Sequence, residues 1–117
     1  MDLWQYRARP TRVVDGDTID VLIDVGFDIA FSARLRVLGV DTPEMRGDER
    51  EAGLIAKTFV EDWCQDAAQL TDSDWPLIVV TEEADSFGRW LARVYDTASE
   101  ELAVELIEAE LGEVYDD

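Results

Sequence analysis

The stretch from Arg7 to Asp24, Arg-Ala-Arg-Pro-Thr-Arg-Val-Val-Asp-Gly-Asp-Thr-Ile-Asp-Val-Leu-Ile-Asp, decides the fold. Its second half alternates, with Ile19, Val21 and Ile23 on one face and Asp20, Leu22 and Asp24 on the other. That period of two belongs to a half-buried strand. Arg7 to Val14 reads as a partner strand, and Asp15-Gly16 between the two is a strong hairpin signal. Gly26 marks the next turn. Beyond it Phe31 to Leu38 alternates again, Leu35 and Val37 against Arg34 and Arg36. Three strands on short turns make an antiparallel meander.

The rest of the chain extends this start. Asp48 followed by Glu51 has the spacing of a capping box, and the helix it would open runs to about Cys64. Ala52, Ile55, Ala56, Phe59, Val60 and Trp63 form its apolar stripe. Leu77 to Thr81, after Pro76, reads as a buried strand. Gly88 to Tyr95 reads as another, ending in a turn over Asp96 to Ser99. A second helix spans Glu101 to Leu111, with Leu102, Ala103, Leu106 and Ile107 inward. The order βββ-α-ββ-α predicts an α+β, mainly β, fold: a five-stranded barrel of the OB type with two helices. An open α+β sheet is the alternative. With 117 residues, no repeat and no linker, positions 1–117 form one domain.

Composition narrows the chemistry. The chain has no histidine and one cysteine, Cys64. Catalysis by a Ser-His or Cys-His pair, histidine-ligated zinc and an internal disulfide are thereby excluded. No basic n-region precedes an apolar run at the N-terminus, and no apolar run approaches membrane-spanning length. The expectation is a soluble, intracellular (cytoplasmic) monomer with no membrane partner.

There are 28 acids against 10 bases, a net charge of -18. So acidic a chain argues against a generic basic nucleic-acid binder. The charge is uneven, however: residues 1–50 carry seven arginines and ten acids, and only three bases follow. Nine of the ten bases are arginine, the side chain that grips phosphate through two hydrogen bonds. Two accounts of the acidity stand side by side. One is adaptation to high salt, as in a halophilic source. The other is a surface that docks on a basic partner.

Three segments carry candidate chemistry: Asp15-Gly16-Asp17-Thr18, Arg36 to Glu44, and Asp85 to Arg89. Each has a plain structural reading. Asp-Gly can be only a turn, Thr42-Pro43 only a helix start, and Arg89 only an exposed strand residue. Taken together they suggest more. Asp17 at a strand start and Asp41 at a strand end would approach each other across the meander. Two carboxylates, a main-chain carbonyl and water suit a hard cation such as Ca²⁺ or Mg²⁺. Arg36 on the third strand and Arg89 on the fifth would neutralise charge building on phosphate oxygens. Glu44 would orient or deprotonate a water.

These residues resemble the thermonuclease, or staphylococcal nuclease-like, family, by motifs scattered from about Arg7 to Tyr115. The D-G-D-T element is Asp15 to Thr18. The R-x-x-x-x-D-T-P-E element is Arg36 to Glu44. The D-x-[YF]-G-R-x-L-A-x-V-Y element is Asp85 to Tyr95. Glu51-Ala52 resembles the opening of the family's first helix, and Leu111 to Tyr115 the end of its second.

The resemblance implies Ca²⁺-dependent hydrolysis of DNA and RNA phosphodiesters, leaving a 3′-phosphate and a 5′-hydroxyl. It implies that Asp17 and Asp41 bind the metal through their carboxylates and Thr42 through its carbonyl. Arg36, Glu44 and Arg89 are then catalytic, while Phe87 and Tyr115 contact substrate. There are departures. The lysine-rich loop of the best-known members is here Met45 to Arg50, short and of balanced charge. Phe87 stands where a tyrosine is usual, so it can stack but cannot donate a hydrogen bond. Longer members continue into a third helix. A rival reading is an OB module that binds nucleic acid or protein without catalysis. Such a module would be expected to lack one of Asp17, Arg36, Asp41, Glu44 and Arg89, and all five are present.

Overall fold

The computed structural model describes residues 4–84 and 88–115. Its opening meander consists of β1 (Gln5–Asp15), β2 (Thr18–Asp24) and β3 (Ala30–Val37). A short strand β4 (Gly39–Asp41), helix α1 (Arg50–Gln69), strands β5 (Leu77–Ala84) and β6 (Trp90–Asp96), helix α2 (Leu102–Glu108) and a last short strand β7 (Glu113–Tyr115) follow. The five long strands close into a barrel in the order β1-β2-β3-β6-β5. Antiparallel pairing of Ala8 with Leu77 joins β1 to β5, and parallel pairing of Leu35 with Trp90 joins β3 to β6. This is the expected α+β barrel of OB type. The open sheet is excluded by the closure.

The alternation in the sequence becomes the barrel interior. Ile19, Val21, Ile23, Leu35 and Val37 point inward with Leu77, Val79, Ala92 and Val94. Both helices seal this core with one face each: Val60, Trp63 and Ala67 from α1, Leu102 and Leu106 from α2. Full burial of an aliphatic side chain is worth about 1.5–3 kcal/mol, so this one cluster dominates the stability of the fold.

Several element boundaries differ from expectation. The first helix continues to Gln69, one and a half turns past Cys64, because Cys64 and Ala67 extend the buried stripe. That stripe is also rotated: Gly53 is buried, whereas Ile55 is 52% exposed. Asp48 caps nothing. It lies in a single 3-10 turn, Gly47–Glu49, and no side chain caps either that turn or the helix. The strand expected from Gly88 begins at Trp90.

The second helix stops at Glu108, three residues short of Leu111. Glu110 adopts φ of 60°, and the Leu111 amide bonds back to the Leu106 carbonyl at 3.0 Å, the wrapped-back end of a Schellman-type cap. Consequently Glu113–Tyr115 is not a helix end. It is a strand paired antiparallel with β4, Val114 opposite Val40 and Tyr115 opposite Gly39. None of the described helices is long and apolar enough to cross a membrane.

Candidate active site

At one edge of the barrel the β1–β2 turn, the end of β3, the β4 segment and the start of β6 meet. A cavity of about 360 Å³ opens there, and Asp15, Asp17, Arg36, Asp41, Glu44 and Arg89 contribute to its walls along with Thr42, Pro43 and Tyr115. Seven residues named from the sequence (Asp17, Arg36, Asp41, Thr42, Glu44, Arg89 and Tyr115) therefore share one cavity. Phe87 lies outside the described residues.

Each wall has a local cause. The register places Thr18 opposite Arg36, which brings the residue before β2 to the last turn of β3. Asp17 is buried. Its carbonyl accepts from the Val37 amide at 2.8 Å, and its carboxylate Oδ2 accepts from the Thr42 amide at 3.1 Å. Thr18 Oγ1 donates to the other carboxylate oxygen at 3.3 Å. The Asp17 side chain thus ties the first turn to the segment after β4.

Arg36 is the centre. Its Nη1 donates to the carbonyls of Val37 and Val40, at 2.6 and 2.9 Å. Its Nη2 lies 3.6 Å from both Asp17 Oδ2 and Asp41 Oδ1. The guanidinium lies beside both carboxylates and over the Tyr115 ring, 5.4 Å from the ring centroid. A cation above an aromatic face gains roughly 0.5–2 kcal/mol, so β7 helps fix the head of Arg36. Arg89, one residue before β6 rather than within it, donates from Nη1 to Thr18 Oγ1 at 3.4 Å.

Glu44 sits on an exposed loop beyond Pro43. Its amide donates to Glu49 Oε2 at 3.2 Å, and its main chain presses against α1 at Gly53. A Cβ on Gly53 would stand 2.3 Å from the Glu44 carbonyl oxygen. Only glycine admits this approach, so Gly53 places Glu44. Its signal in the sequence is faint, a glycine in the first turns of an otherwise good helix.

Asp15 was also given no role, although Asp15-Gly16-Asp17 sets two carboxylates two residues apart. Its Oδ1 accepts from the Asp17 amide at 3.1 Å. Burial, then hydrogen bonding and charge from Asp17, push its carboxyl up to about 6.

The donor set suits an oxygen-seeking cation. Asp17 and Asp41 both line the cavity. The Thr42 hydroxyl oxygen is packed under Gly16 beside Ala56, buried without a hydrogen-bond partner among the described residues, at a cost of about 1–3 kcal/mol. Among the described residues no three acidic, histidine or cysteine side chains form a metal-holding group. A cation here would rest on two carboxylates, with main-chain oxygen and water completing its shell. Compared with known proteins, the chain matches no protein-family model and no curated protein sequence.

Proposed function

We propose that this protein is a metal-dependent nuclease of the staphylococcal nuclease type, hydrolysing phosphodiester bonds in DNA or RNA. The observation that carries the reading is the Arg36 guanidinium held 3.6 Å from both the Asp17 and Asp41 carboxylates, on a cavity shared with Glu44 and Arg89. Arg36 and Arg89 together with the carboxylates of Asp17, Asp41 and Glu44 on one polar recess are the components that phosphoryl transfer to water requires.

Asp17, Asp41 and the Thr42 carbonyl would hold Ca²⁺, or Mg²⁺ in its place. The ion, when bound, supplies positive charge to a phosphate oxygen and to the attacking water. Glu44, on its exposed loop, is placed to take a proton from that water as the oxygen attacks phosphorus. The bond from phosphorus to the 5′ oxygen then breaks, the leaving oxygen takes a proton from solvent water, and the products are a 3′-phosphate and a 5′-hydroxyl. Arg36 and Arg89 stabilise the charge that gathers on the equatorial oxygens of five-coordinate phosphorus. Arg36 arrives preorganised, because two carbonyls already fix its Nη1. Tyr115 backs Arg36 and borders the path of the substrate.

The test is direct. Purified protein with Ca²⁺ should cleave single-stranded or denatured DNA to 3′-phosphorylated fragments, and a chelator should stop it. DNA left intact after long incubation with Ca²⁺ or Mg²⁺, from low to molar salt, overturns the reading. Retained binding without cleavage would point to the non-catalytic OB module.

A further inference from the structure

On a chain of net charge -18, one sheet face is basic. The residues of β1, β2 and β3 that point away from the core lie in rungs set by the register. Asp15, Thr18 and Arg36 make the rung at the candidate active site. The next holds Arg12, Asp20 and Arg34, and the one after it Arg9, Leu22 and Ser32. Arg7, Asp24 and Ala30 form the last. Beyond the catalytic rung this face carries four arginines and two acids, a local excess of two positive charges.

Both acids are already engaged. Asp20 accepts from Arg34 Nε and Nη2 at 2.8 and 3.1 Å, and Asp24 pairs with Arg7. Arg34 and Arg12 both hold the Asp20 carboxyl below the usual range. The Arg9 guanidinium lies over the Trp75 ring, 4.9 Å from its centroid, which steadies the third rung without neutralising it.

We infer that this face is the track along which a single-stranded polynucleotide runs into the active site. The inference rests on the nuclease reading and adds to it the surface that guides the substrate strand to the site. Charge complementarity selects a polyanion, and continuity with Arg36 supplies the register. Successive rungs are about 7 Å apart, twice the ~3.4 Å charge spacing along one strand of a duplex, which favours an extended, unstacked strand. The row from Arg36 to Arg7 covers roughly 20 Å. The outer face of strands 2 and 3 is also where OB barrels in general meet oligonucleotides.

The experiment compares cleavage of a three-nucleotide and a fifteen-nucleotide single-stranded DNA in Ca²⁺. The proteins are wild type, the double variant Arg9→Gln/Arg12→Gln, and Arg93→Gln. Arg93 pairs with Glu101 away from this face and controls for net charge. For the long substrate the double variant should raise KM about tenfold and flatten the salt dependence of log KM by about 1.4, the share of two lost phosphate contacts. The short substrate should be unaffected, as should both substrates with Arg93→Gln.

Equal KM and equal salt slopes on both lengths overturn the track and leave the nuclease reading standing. If wild type cleaves neither, anisotropy of a labelled fifteen-nucleotide strand decides. Binding that the double variant loses supports the track without the catalysis, and no binding overturns both. Poly-glutamate competing as strongly as DNA would assign the face to an acidic protein partner and overturn the polynucleotide.

Discussion

At the scale of single residues, Arg36 is the side chain on which most contacts of the site depend. It joins two main-chain carbonyls, two carboxylates and an aromatic face. Arg36→Ala should therefore lower the cleavage rate by about 10²–10³-fold, the usual loss of one electrostatic stabiliser. Glu44→Gln should lose a comparable factor with little change in unfolding temperature, since Glu44 is exposed. Rate and thermal melt measured on both variants check this, and a full rate in either removes that residue from the chemistry. Cys64 is the opposite case, a residue the mechanism does not use. Burial first, and the charge of Glu61 second, push its thiol up to about 12. At pH 8 it is protonated and shielded, so a thiol reagent should label the native protein only after denaturant is added. Rapid labelling of native protein would mean that α1 opens easily.

At the scale of elements, legibility followed length and periodicity. Strands β2 and β3 were readable because Ile19 to Ile23 and Leu35 to Val37 alternate, and each inward position is buried. β4 and β7, three residues each, are too short to show a period. They are defined only by pairing with each other, Val40 opposite Val114, which no local pattern announces. The helix stripe was misplaced for a related reason. Ile55 fits the apolar periodicity as well as Ala56, but the first turns of α1 bury the small Gly53 and Ala56, where Glu44 passes over Gly53. Asp17, Arg36, Asp41, Glu44 and Arg89 were legible as a group because their motifs bracket strand ends, whereas Gly53 and Asp15 act through close approach and local crowding. Gly53→Ala tests the element contact. Overpacking of this kind costs about 1–3 kcal/mol, so the melt should drop by several degrees. Cleavage should fall further than the melt alone accounts for, as Glu44 is pushed aside. A variant with wild-type melt and rate would show that the loop does not depend on α1.

At the scale of the whole molecule, the excess of acids has to coexist with the proposed phosphate-binding site. It does so by segregation. Seven of the ten bases precede residue 51, and the meander puts four of them on one outer face next to Arg36. Several acids after residue 50 lie elsewhere: Glu51, Glu61, Asp62 and Asp66 along exposed turns of α1 and Glu108 at the end of α2, while Glu110 and Glu113 stand beside Asp41. Such like charges repel one another across the surface and destabilise the compact state. Added salt shortens the range of that repulsion, from about 10 Å at 0.1 M to about 3 Å at 1 M. Raising NaCl across that interval should therefore raise the melting temperature, by roughly 5 °C if about 1 kcal/mol of repulsion is relieved. Substrate affinity should move the other way, because the same ions compete with DNA for the arginines. Following both quantities in one salt series separates them: the melt reports the acids and KM reports the basic face. A melt that falls or stays flat as salt rises would mean that the acids are already compensated in the fold, and the high-salt account of the composition would fail with it.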